Sequence, residues 1–406
     1  MAEFEWERLR RWPDAEAANL SASDAADRLI LDTAAFALRD EHPADVVVIG
    51  DAYGALTLAS ARLLGQADAS RETDAPQQAD ASSRADASRQ ADARDVIRVH
   101  QDPVVAERAL DANAGRLGLE GSYRARPLDG DLLRGARVVL LRLPKSLDAL
   151  DEIAGLIAAH ADPEVTVFAG GMQKHMAIAM NDVLRRHLER VDVGLGRQKA
   201  RVLTAHGPRR AAEPEQGWPR RQFHGDIAPG LWVCAHGGAF AGSRIDIGTR
   251  FLLDHLDEAA TGARTVVDLA CGTGVLASVL ALRRPNVRGI ASDQSAAAAA
   301  SAAATVAVNG VAERLDVRRE NAGESIPDAW ADLVVLNPPF HSGTSLDLRT
   351  GRMLVAAAAR ILAPGGELWT VYNSHLDYRS SLTRLVGRTR QVDRNRKFTI
   401  TASVKR

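Results

Sequence analysis

The sequence predicts an α/β protein in which two doubly wound domains follow one another along the chain. Three observations support this fold class. Apolar stretches of strand length alternate with amphipathic stretches of helix length, glycine-containing turns join them, and the whole pattern occurs twice. This alternation is typical of a mostly parallel sheet that carries helices on both faces.

The first copy of the pattern begins at "ADVVVIGDAYGALTLASARLL", which reads as a buried strand, a turn containing Gly54 and an amphipathic helix. A low-complexity tract of Ala, Asp, Ser, Arg and Gln then occupies residues 66–95. Because this tract offers almost no large apolar side chain to bury, we predict a disordered insertion. The strand "DVIRVHQD" follows directly, so the insertion lies inside a domain and does not separate two domains.

The second copy aligns with the first at both ends of the pattern. "VVVIGDAYGALTLAS" pairs with "TVVDLACGTGVLASV", which places Gly54 opposite Gly274, and "ARVVLLRLPKSLDAL" pairs with "ADLVVLNPPFHSGTS". A repeat of this length indicates duplication of a whole domain. The stretch 205–230 is rich in Pro, Gly and charge, as connectors between domains are. We therefore place the domains at 1–225 and 226–406.

Composition excludes several classes of protein. Hydrophobic residues make up 46% of the chain and charged residues 25%, and the formal net charge of −1 leaves nucleic-acid binding to local patches. Two cysteines are too few for a disulfide framework. The charged N-terminal segment has no apolar core of a signal peptide, and no apolar run approaches the ~18–20 residues that span a bilayer. We expect a monomeric, cytoplasmic protein without a metal site or membrane contact.

Acidic and amide residues follow successive predicted strands of the second copy. In "VVDLACGTG", Asp268 ends a strand, and Gly272 and Gly274 would let the backbone approach a ligand closely. Asp293 ends the next strand, where doubly wound folds bind ribose hydroxyls, and Asn321 follows the third. The glycine pattern of pyrophosphate sites is absent, which favours a ligand that contains adenosine but no phosphate. A tight turn without a ligand is the alternative interpretation.

The stretch "LVVLNPPFHSG" ends the fourth strand in two prolines, which cannot continue a sheet. If the Asn337 side-chain oxygen and the Pro338 carbonyl accepted hydrogen bonds from one amine, its lone pair would point at an incoming methyl group. Phe340 could stack on a base removed from its helix. The alternative is a loop that only ends the strand and plugs it with an aromatic ring.

These motifs resemble those of class I S-adenosylmethionine-dependent methyltransferases, whose Rossmann-like fold the two domains would share. "D-x-A-C-G-T-G" is similar to the first motif of that family, and Asn-Pro-Pro-Phe is similar to the motif of members that methylate a planar nitrogen. "NPPFHSG", "FAGSRIDIGTRFLLDHL", "YNSHLDYRSSL" and "NRKFTI" resemble the ribosomal RNA guanine-N2 methyltransferases built from two tandem domains. "LLRLPKSLDALDEI" and "GRQKARVL" resemble the large-subunit (23S) members more than the small-subunit (16S) members.

The resemblance implies S-adenosyl-L-methionine as cofactor and ribosomal RNA, free or in a particle, as partner. For His341 it implies a positioning role, with simple packing as the alternative. The implied catalytic residues are Asn337, Pro338 and Phe340. The implied cofactor-binding residues are Asp268, Gly272, Gly274, Asp293, Asn321 and Asn337, and the implied substrate-binding residues are Pro339, Phe340 and His341. Cys271 is interpreted as a small buried residue of the turn.

The first copy departs from the catalytic pattern. Its turn "DAYGAL" retains only Gly54, and "RLPK" replaces "NPPF", so that cations stand where hydrogen-bond acceptors are needed. We predict a degenerate domain with a role in substrate binding or in folding of its neighbour.

Two segments carry excess positive charge, +6 over 185–221 and +8 over 379–406, which fits contacts with RNA phosphates. With aromatic content at 4%, a single flipped base is expected and an extended stacking platform is not. Adenine-N6 or protein glutamine-N5 methylation, and a non-catalytic RNA-binding assembly factor, remain alternatives to guanine-N2 methylation.

Overall fold

The computed structural model describes residues 4–17, 20–74, 96–210, 217–338, 345–376 and 378–406, with the backbone alone for 66–74 and 345–348. The chain divides into two compact units, Met1–Glu215 and Gln216–Arg406. The boundary lies in the connector predicted at 205–230 but before the predicted division at 225/226. The reason is that Arg220–His224 pairs with Leu231–Ala235 of the second unit.

The first unit contains a seven-stranded sheet, with strand order β3-β2-β1-β4-β5-β7-β6. Its strands are β1 Val46–Ile49, β2 Ile97–His100, β3 Tyr123–Ala125, β4 Val138–Arg142, β5 Thr166–Met172, β6 Leu188–Val193 and β7 Ala200–Pro208. Its described helices are α1 Ala25–Arg39, α2 Ala55–Asp74, α3 Val104–Leu117, α4 Gly130–Leu133, α5 Leu147–His160 and α6 Ala179–His187.

The second unit repeats this sheet as β12-β11-β10-β13-β14-β16-β15 and adds a two-stranded sheet. The added hairpin consists of β8 Arg220–His224 and β9 Leu231–Ala235. The main strands are β10 Thr265–Leu269, β11 Arg288–Asp293, β12 Leu315–Arg319, β13 Ala331–Leu336, β14 Leu362–Asn373, β15 Gly387–Arg394 and β16 Phe398–Lys405. The described helices are α7 Ile247–Leu253, α8 Val275–Arg283, α9 Ala296–Val308, α10 Ser345–Ile361 and α11 Arg379–Leu385.

In each sheet five strands are parallel and the last two are antiparallel to their neighbours. The central strands are buried on both faces, which explains their unbroken apolar sequences. In β1, Val46 and Val48 join one core cluster, whereas Val47 and Ile49 join the cluster on the opposite face. The predicted fold class, two tandem doubly wound α/β domains, is confirmed.

The structure differs from the predicted insertion over 66–74, where α2 continues to Asp74. Ala, Arg, Gln and Glu in that segment favour helix, which explains the continuation. Residues 75–95 lie outside the described residues. Within the described ranges, no helix is long and apolar enough to cross a membrane, and a search of the same residues gives no cluster of metal-ligating side chains.

Candidate active site

The order of the second sheet reverses between β10 and β13, and the candidate site lies at the carboxyl ends of these strands. The strand register pairs Leu269 of β10 with Leu336 of β13 and with Ser292 of β11. Asp268 and Asn337 therefore flank one crevice, with Asp293 one strand away. The parallel topology brings together side chains that are far apart in sequence.

Asp268 is a buried carboxyl, 2% exposed, at the end of β10. Its Oδ2 accepts a hydrogen bond from the Ala277 backbone N–H of α8 at 3.0 Å. Burial raises the pKa of Asp268 to about 7, because the apolar surroundings disfavour the charged form. A cation that entered this crevice would restore the charged form, so Asp268 is suited to bind a positively charged group.

The turn after β10 is built on left-handed backbone conformations. Gly272 has φ +55°, and a Cβ added there would meet nothing within 4 Å, so the backbone faces open space. Gly274 has φ +72°, but its added Cβ would lie 2.9 Å from the Ala302 Cβ of α9. The close packing of α9 on the turn thus explains why residue 274 is a glycine, whereas the prediction explained it by the approach of a ligand. Cys271 is buried as predicted, and burial raises the pKa of its thiol well above the usual value.

Asp293 and Asn321 follow β11 and β12 at the same edge of the sheet. Asp293 accepts hydrogen bonds from the backbone N–H groups of Gly272 and Ser295, each at 3.0 Å, and so holds the turn in place. Asn321 is half-buried, and its backbone N–H donates to Glu324 Oε1 at 3.4 Å. The neighbouring Glu320 is buried, with Oε2 bound to the Ser325 N–H at 2.8 Å and Oε1 without a protein partner.

Asn337 is held by the N-terminus of α7. Its Nδ2 donates to Thr249 Oγ1 at 2.9 Å and to Asp246 Oδ2 at 3.3 Å. A carboxylate can only accept, so the amide must present its NH₂ group to α7 and its Oδ1 elsewhere. The contact requires Gly248, because a Cβ there would lie 3.0 Å from Asp246 Oδ2 and 3.3 Å from the Phe398 ring.

A cleft with a volume of about 460 Å³, including its open mouth, contains three of the predicted site residues, Asp268, Gly272 and Asn337. Gly274, Asp293 and Asn321 do not line it, and Pro338 is buried beside Asn337. The predicted site residues Pro339, Phe340 and His341 lie outside the described residues. The cleft is also lined by Phe240, Arg244, Asp246 and Thr249.

Asp246 and Thr249 are site residues that sequence reasoning did not identify. They lie 91 and 88 residues before Asn337, so no local pattern joins them to it. A usable signal was present, since Asp246 has the spacing of a helix N-cap, and it accepts from the Gly248 and Thr249 backbone N–H groups at 2.8 and 3.3 Å.

The first unit contains a closed counterpart of this arrangement. Ile49 pairs with Leu141 as Leu269 pairs with Leu336, so Arg142 occupies the position of Asn337. Its guanidinium donates to both carboxylate oxygens of Asp24, at 2.8 and 3.0 Å, and lies 3.0 Å from Asp27. Asp24 caps α1 as Asp246 caps α7, and Asp27 lies three residues on, as Thr249 does.

The cluster joins one cation to two carboxyls. Burial alone would lower the pKa of Arg142, but the hydrogen bonds that it donates to Asp24 and the charge of Asp27 raise it. Burial raises the pKa of Asp27 to about 7 and outweighs the opposing effect of Arg142. Arg142 itself has only donors, whereas Asn337 at the corresponding position has an amide oxygen that can accept.

The turn of the first unit is occupied by the protein itself. Asp51 Oδ2 accepts from the Thr57 N–H at 2.7 Å, and Thr57 is the counterpart of Ala277 in the repeat. The position of Asp268 is taken by the buried Val48. The Tyr53 backbone carbonyl accepts from Asn113 Nδ2 at 2.7 Å, and its hydroxyl contacts Asp14. Ala52 stands at the position of Gly272, and its backbone N–H donates to Gln101 Oε1 at 3.0 Å.

Comparisons with known proteins cover nearly the whole chain. Residues 2–83 and 87–209 match the family model "RLMG N-terminal domain", and residues 230–402 match "Methyltransferase small domain". The chain is 33% identical to a ribosomal RNA large subunit methyltransferase G of Streptomyces coelicolor, over 98% of this chain and 97% of that protein. A protein of the same name from Stutzerimonas stutzeri is 37% identical over 66% of this chain and 70% of its own length.

Among solved structures, a 16S rRNA N2 methyltransferase of T. thermophilus, in complex with AdoMet and guanosine, has a similar fold. The TM-score is 0.64 at 22% sequence identity, and the match covers 79% of this chain and 85% of that one. Neither unit alone amounts to 79% of the chain, so the similarity extends over parts of both.

Proposed function

Because the chain belongs to the ribosomal RNA large subunit methyltransferase G family, we propose that it methylates the exocyclic N2 amine of a guanine in 23S ribosomal RNA. The methyl donor is S-adenosyl-L-methionine, and the second unit carries the reaction. The observation that supports this proposal most directly is the orientation of the Asn337 amide, with Nδ2 bound to α7 and Oδ1 left to accept.

The residues of the cleft fit S-adenosylmethionine. When bound, this cofactor supplies an electrophilic methyl group on a positively charged sulfonium. Asp268 offers a buried carboxyl whose pKa is raised to about 7 and which a cation would stabilise as the anion. Gly272 leaves open the space that a side chain would fill. Asp293 and the free Oε1 of Glu320 lie at the edge where an adenosine is expected, and we assign Asp293 and Asn321 to it.

Asn337 and Pro338 act on the amine. The N2 amine of guanine shares its lone pair with the ring and is a weak nucleophile. Hydrogen bonds from its two protons to Asn337 Oδ1 and the Pro338 carbonyl would direct the lone pair at the methyl group. The same oxygens would stabilise the positive charge that develops on nitrogen, and they are oriented before the reaction begins.

Asp246 and Thr249 fix that orientation. Rotation of the Asn337 amide by half a turn would place its oxygen against the Asp246 carboxylate and its NH₂ against the substrate amine. Both contacts would be unfavourable, so the two acceptors on α7 select the productive orientation. We assign Phe340 to stacking on the guanine, and Pro339 and His341 to its placement.

The first unit is assigned to binding or positioning of the RNA, or to folding of its neighbour, since Arg142 cannot accept a hydrogen bond from an amine. We further propose a monomer that acts in the cytoplasm, where ribosomal RNA is found. Gel filtration at micromolar concentration tests the first point, and a dimer would contradict it.

Replacement of Asn337 tests the proposal. Asn337→Ala should lower kcat by at least about 100-fold, because it removes an oriented acceptor of the transition state. The affinity for S-adenosylmethionine, measured by calorimetry, should stay within about threefold. Asn181→Ala, the same change on a helix of the first unit, is the control. An Asn337→Ala enzyme of normal kcat would contradict the assigned role.

The reaction itself is tested by mass analysis of ribosomal RNA nucleosides from a strain that lacks this chain. Loss of one N2-methylguanosine from 23S rRNA, restored by the wild-type chain, is the expected result. Loss of N6-methyladenosine would select the adenine alternative. An unchanged nucleoside profile, together with no binding of S-adenosylmethionine, would favour a non-catalytic assembly factor.

A further inference from the structure

The hairpin β8–β9 presents two aromatic rings and an arginine on one face, outside the site described above. Phe223 lies directly opposite Trp232 in the antiparallel pair, and their ring centroids are 5.2 Å apart. Phe223 is 53% exposed and Trp232 is 42% exposed. Arg221 precedes Phe223 by two residues, so it lies on the same face of the strand and is also exposed.

The opposite face of β9 belongs to the core. Leu231 and Val233 are fully buried in the cluster that also contains residues of β10 and β14. The exposed rings are therefore not part of a poorly packed segment. Two large aromatic side chains in contact at the surface are more typical of an interaction site than of a solvent-facing strand.

Helix α9 holds the outer edge of β9 with a row of polar side chains. Asn309, which follows α9, accepts from the Trp232 N–H at 3.0 Å and donates to the Trp232 carbonyl at 2.7 Å. Thr305 bonds both backbone groups of Cys234, at 3.0 and 3.2 Å. Ser301 accepts from the His236 N–H at 2.9 Å. The edge of the hairpin is thus satisfied, and Trp232 is mounted on a rigid support.

The other strand is connected to α7. The His224 Nε2–H donates to the Ser243 carbonyl at 2.9 Å, and Nδ1 of the same ring accepts from Arg250 of α7 at 3.3 Å. Arg250 also binds Asp226 in the hairpin turn. Helix α7 borders the cleft through Thr249, and the chain leaves β9 to form the cleft wall at Phe240. The hairpin is therefore a fixed extension of the wall of the candidate site.

The charge of the hairpin favours an anionic partner. Asp226 is the single acidic residue between 217 and 240, and it is paired with Arg250. The guanidinium of Arg220 stacks on Trp218, 4.2 Å from the ring centroid, and lies on the other face of β8. Two exposed rings beside an arginine such as Arg221 are suited to bind unpaired bases together with a phosphate.

We infer that the face formed by Arg221, Phe223 and Trp232 is a docking surface for a single-stranded segment of the RNA substrate, next to the target guanine. The two rings stack on bases, and Arg221 contacts a phosphate. This inference rests on the proposed function and deepens it. It also revises the expectation that low aromatic content excludes a stacking platform, because two exposed rings lie in contact on this face.

The first test removes both aromatic rings and keeps an apolar side chain at each position. Phe223→Leu with Trp232→Leu should weaken the binding of a 23S rRNA transcript by about tenfold or more, because stacking is lost at two positions. The affinity for S-adenosylmethionine should stay unchanged. Phe36→Leu with Trp12→Leu, two exposed aromatic residues of the first unit, is the matched control. Equal RNA affinity in both double variants would overturn the inference.

The arginine is tested by the salt dependence of binding. Arg221→Glu should reduce the slope of log Kd against log salt concentration by about one, as expected for loss of one phosphate contact. Arg288→Glu, the same charge change at an exposed position of β11, should leave the slope unchanged. An equal effect of both variants would show a general charge effect and contradict a specific contact.

Photochemical crosslinking uses the wild-type chain, so its result does not depend on whether a variant folds. A transcript containing 4-thiouridine should crosslink to a peptide that includes Phe223 or Trp232, and crosslinks confined to other peptides would count against the inference. Loss of self-association in the leucine variant, with RNA affinity retained, would assign the rings to contact between two copies of the chain. If the wild-type chain neither binds nor methylates the transcript, the proposed function is contradicted as well. If the wild-type chain does both, and the hairpin variants bind RNA with the same affinity, only the docking surface is contradicted.

Discussion

Asn337 and Arg142 occupy corresponding positions at the ends of β13 and β4, and they show how one side chain decides what a strand end can do. Both donate to an N-cap aspartate and lie near a second polar residue three positions later. The amide has an acceptor left over after these contacts, whereas the guanidinium has donors only. Acceptor chemistry is therefore available at the end of β13 and lost at the end of β4.

At Asp268 the structure predicts a pH-dependent affinity for the cofactor. The pKa of about 7 in the free protein means that the carboxyl is neutral below this pH. Because a bound cation favours the anion, affinity for S-adenosylmethionine should rise from pH 5.5 to 7 and then level off, with up to about tenfold change per pH unit below the pKa. Calorimetric titrations across this range measure the profile.

Asp268→Asn supplies the comparison for this profile. The amide oxygen can still accept from the Ala277 N–H, so the turn should persist. The variant should bind the cofactor more weakly at pH 7.5 and with no pH dependence. A wild-type affinity that is constant from pH 5.5 to 7.5 would contradict the role given to Asp268.

At the scale of elements, the N-terminus of α7 serves both the helix and the site. Asp246 caps the helix and binds Asn337, while Thr249 accepts through its side chain and donates through its backbone. The two functions can be separated by mutation, because only the hydroxyl of Thr249 contacts the amide.

Thr249→Val should lower kcat by about fivefold, since one neutral hydrogen bond contributes about 1 kcal/mol. The KM for S-adenosylmethionine and the midpoint of thermal unfolding should change little, because volume and backbone are kept. Thr249→Ser keeps the hydroxyl and should retain activity. Asp246→Ala should also lower kcat, and it should destabilise the chain by about 1 kcal/mol because the cap of α7 is lost. Equal kcat for the valine and serine variants would show that Thr249 does not position Asn337.

The elements themselves follow from local sequence, but their meeting points do not. The sequence alone predicts β10, the glycine turn after it and the alanine-rich α9. Apolar residues mark the strand and the helix, because burial requires such residues. The polar row Ser301, Thr305 and Asn309 also has helical spacing, yet its partner β9 is more than 60 residues away. The spacing shows that one side of the helix is polar, but nothing in either segment identifies the other as its partner.

At the scale of the whole molecule, the duplication preserves architecture more strictly than chemistry. Both sheets have the same strand order, and in both units a helix N-cap binds the residue that ends the fourth strand. In the first unit the cluster of Arg142, Asp24 and Asp27 satisfies itself, and Asp51 occupies the N-terminus of α2. This closure predicts that Arg142 stabilises the first unit and takes no part in methyl transfer.

Arg142→Met tests this division of roles. Loss of the arginine leaves Asp24 and the buried Asp27 without their cation, and breaking a buried pair in this way typically costs about 3–5 kcal/mol.

The pKa of Asp27, already about 7, would rise further, because the arginine charge opposes the effect of burial. A carboxyl whose folded pKa exceeds its unfolded value destabilises the folded state increasingly as pH rises through that range. The loss of unfolding free energy should therefore be larger at pH 8 than at pH 5. Chemical denaturation at both pH values measures it, with S-adenosylmethionine affinity of the second unit as the control. A loss independent of pH would show that charge burial at Asp27 is not its cause.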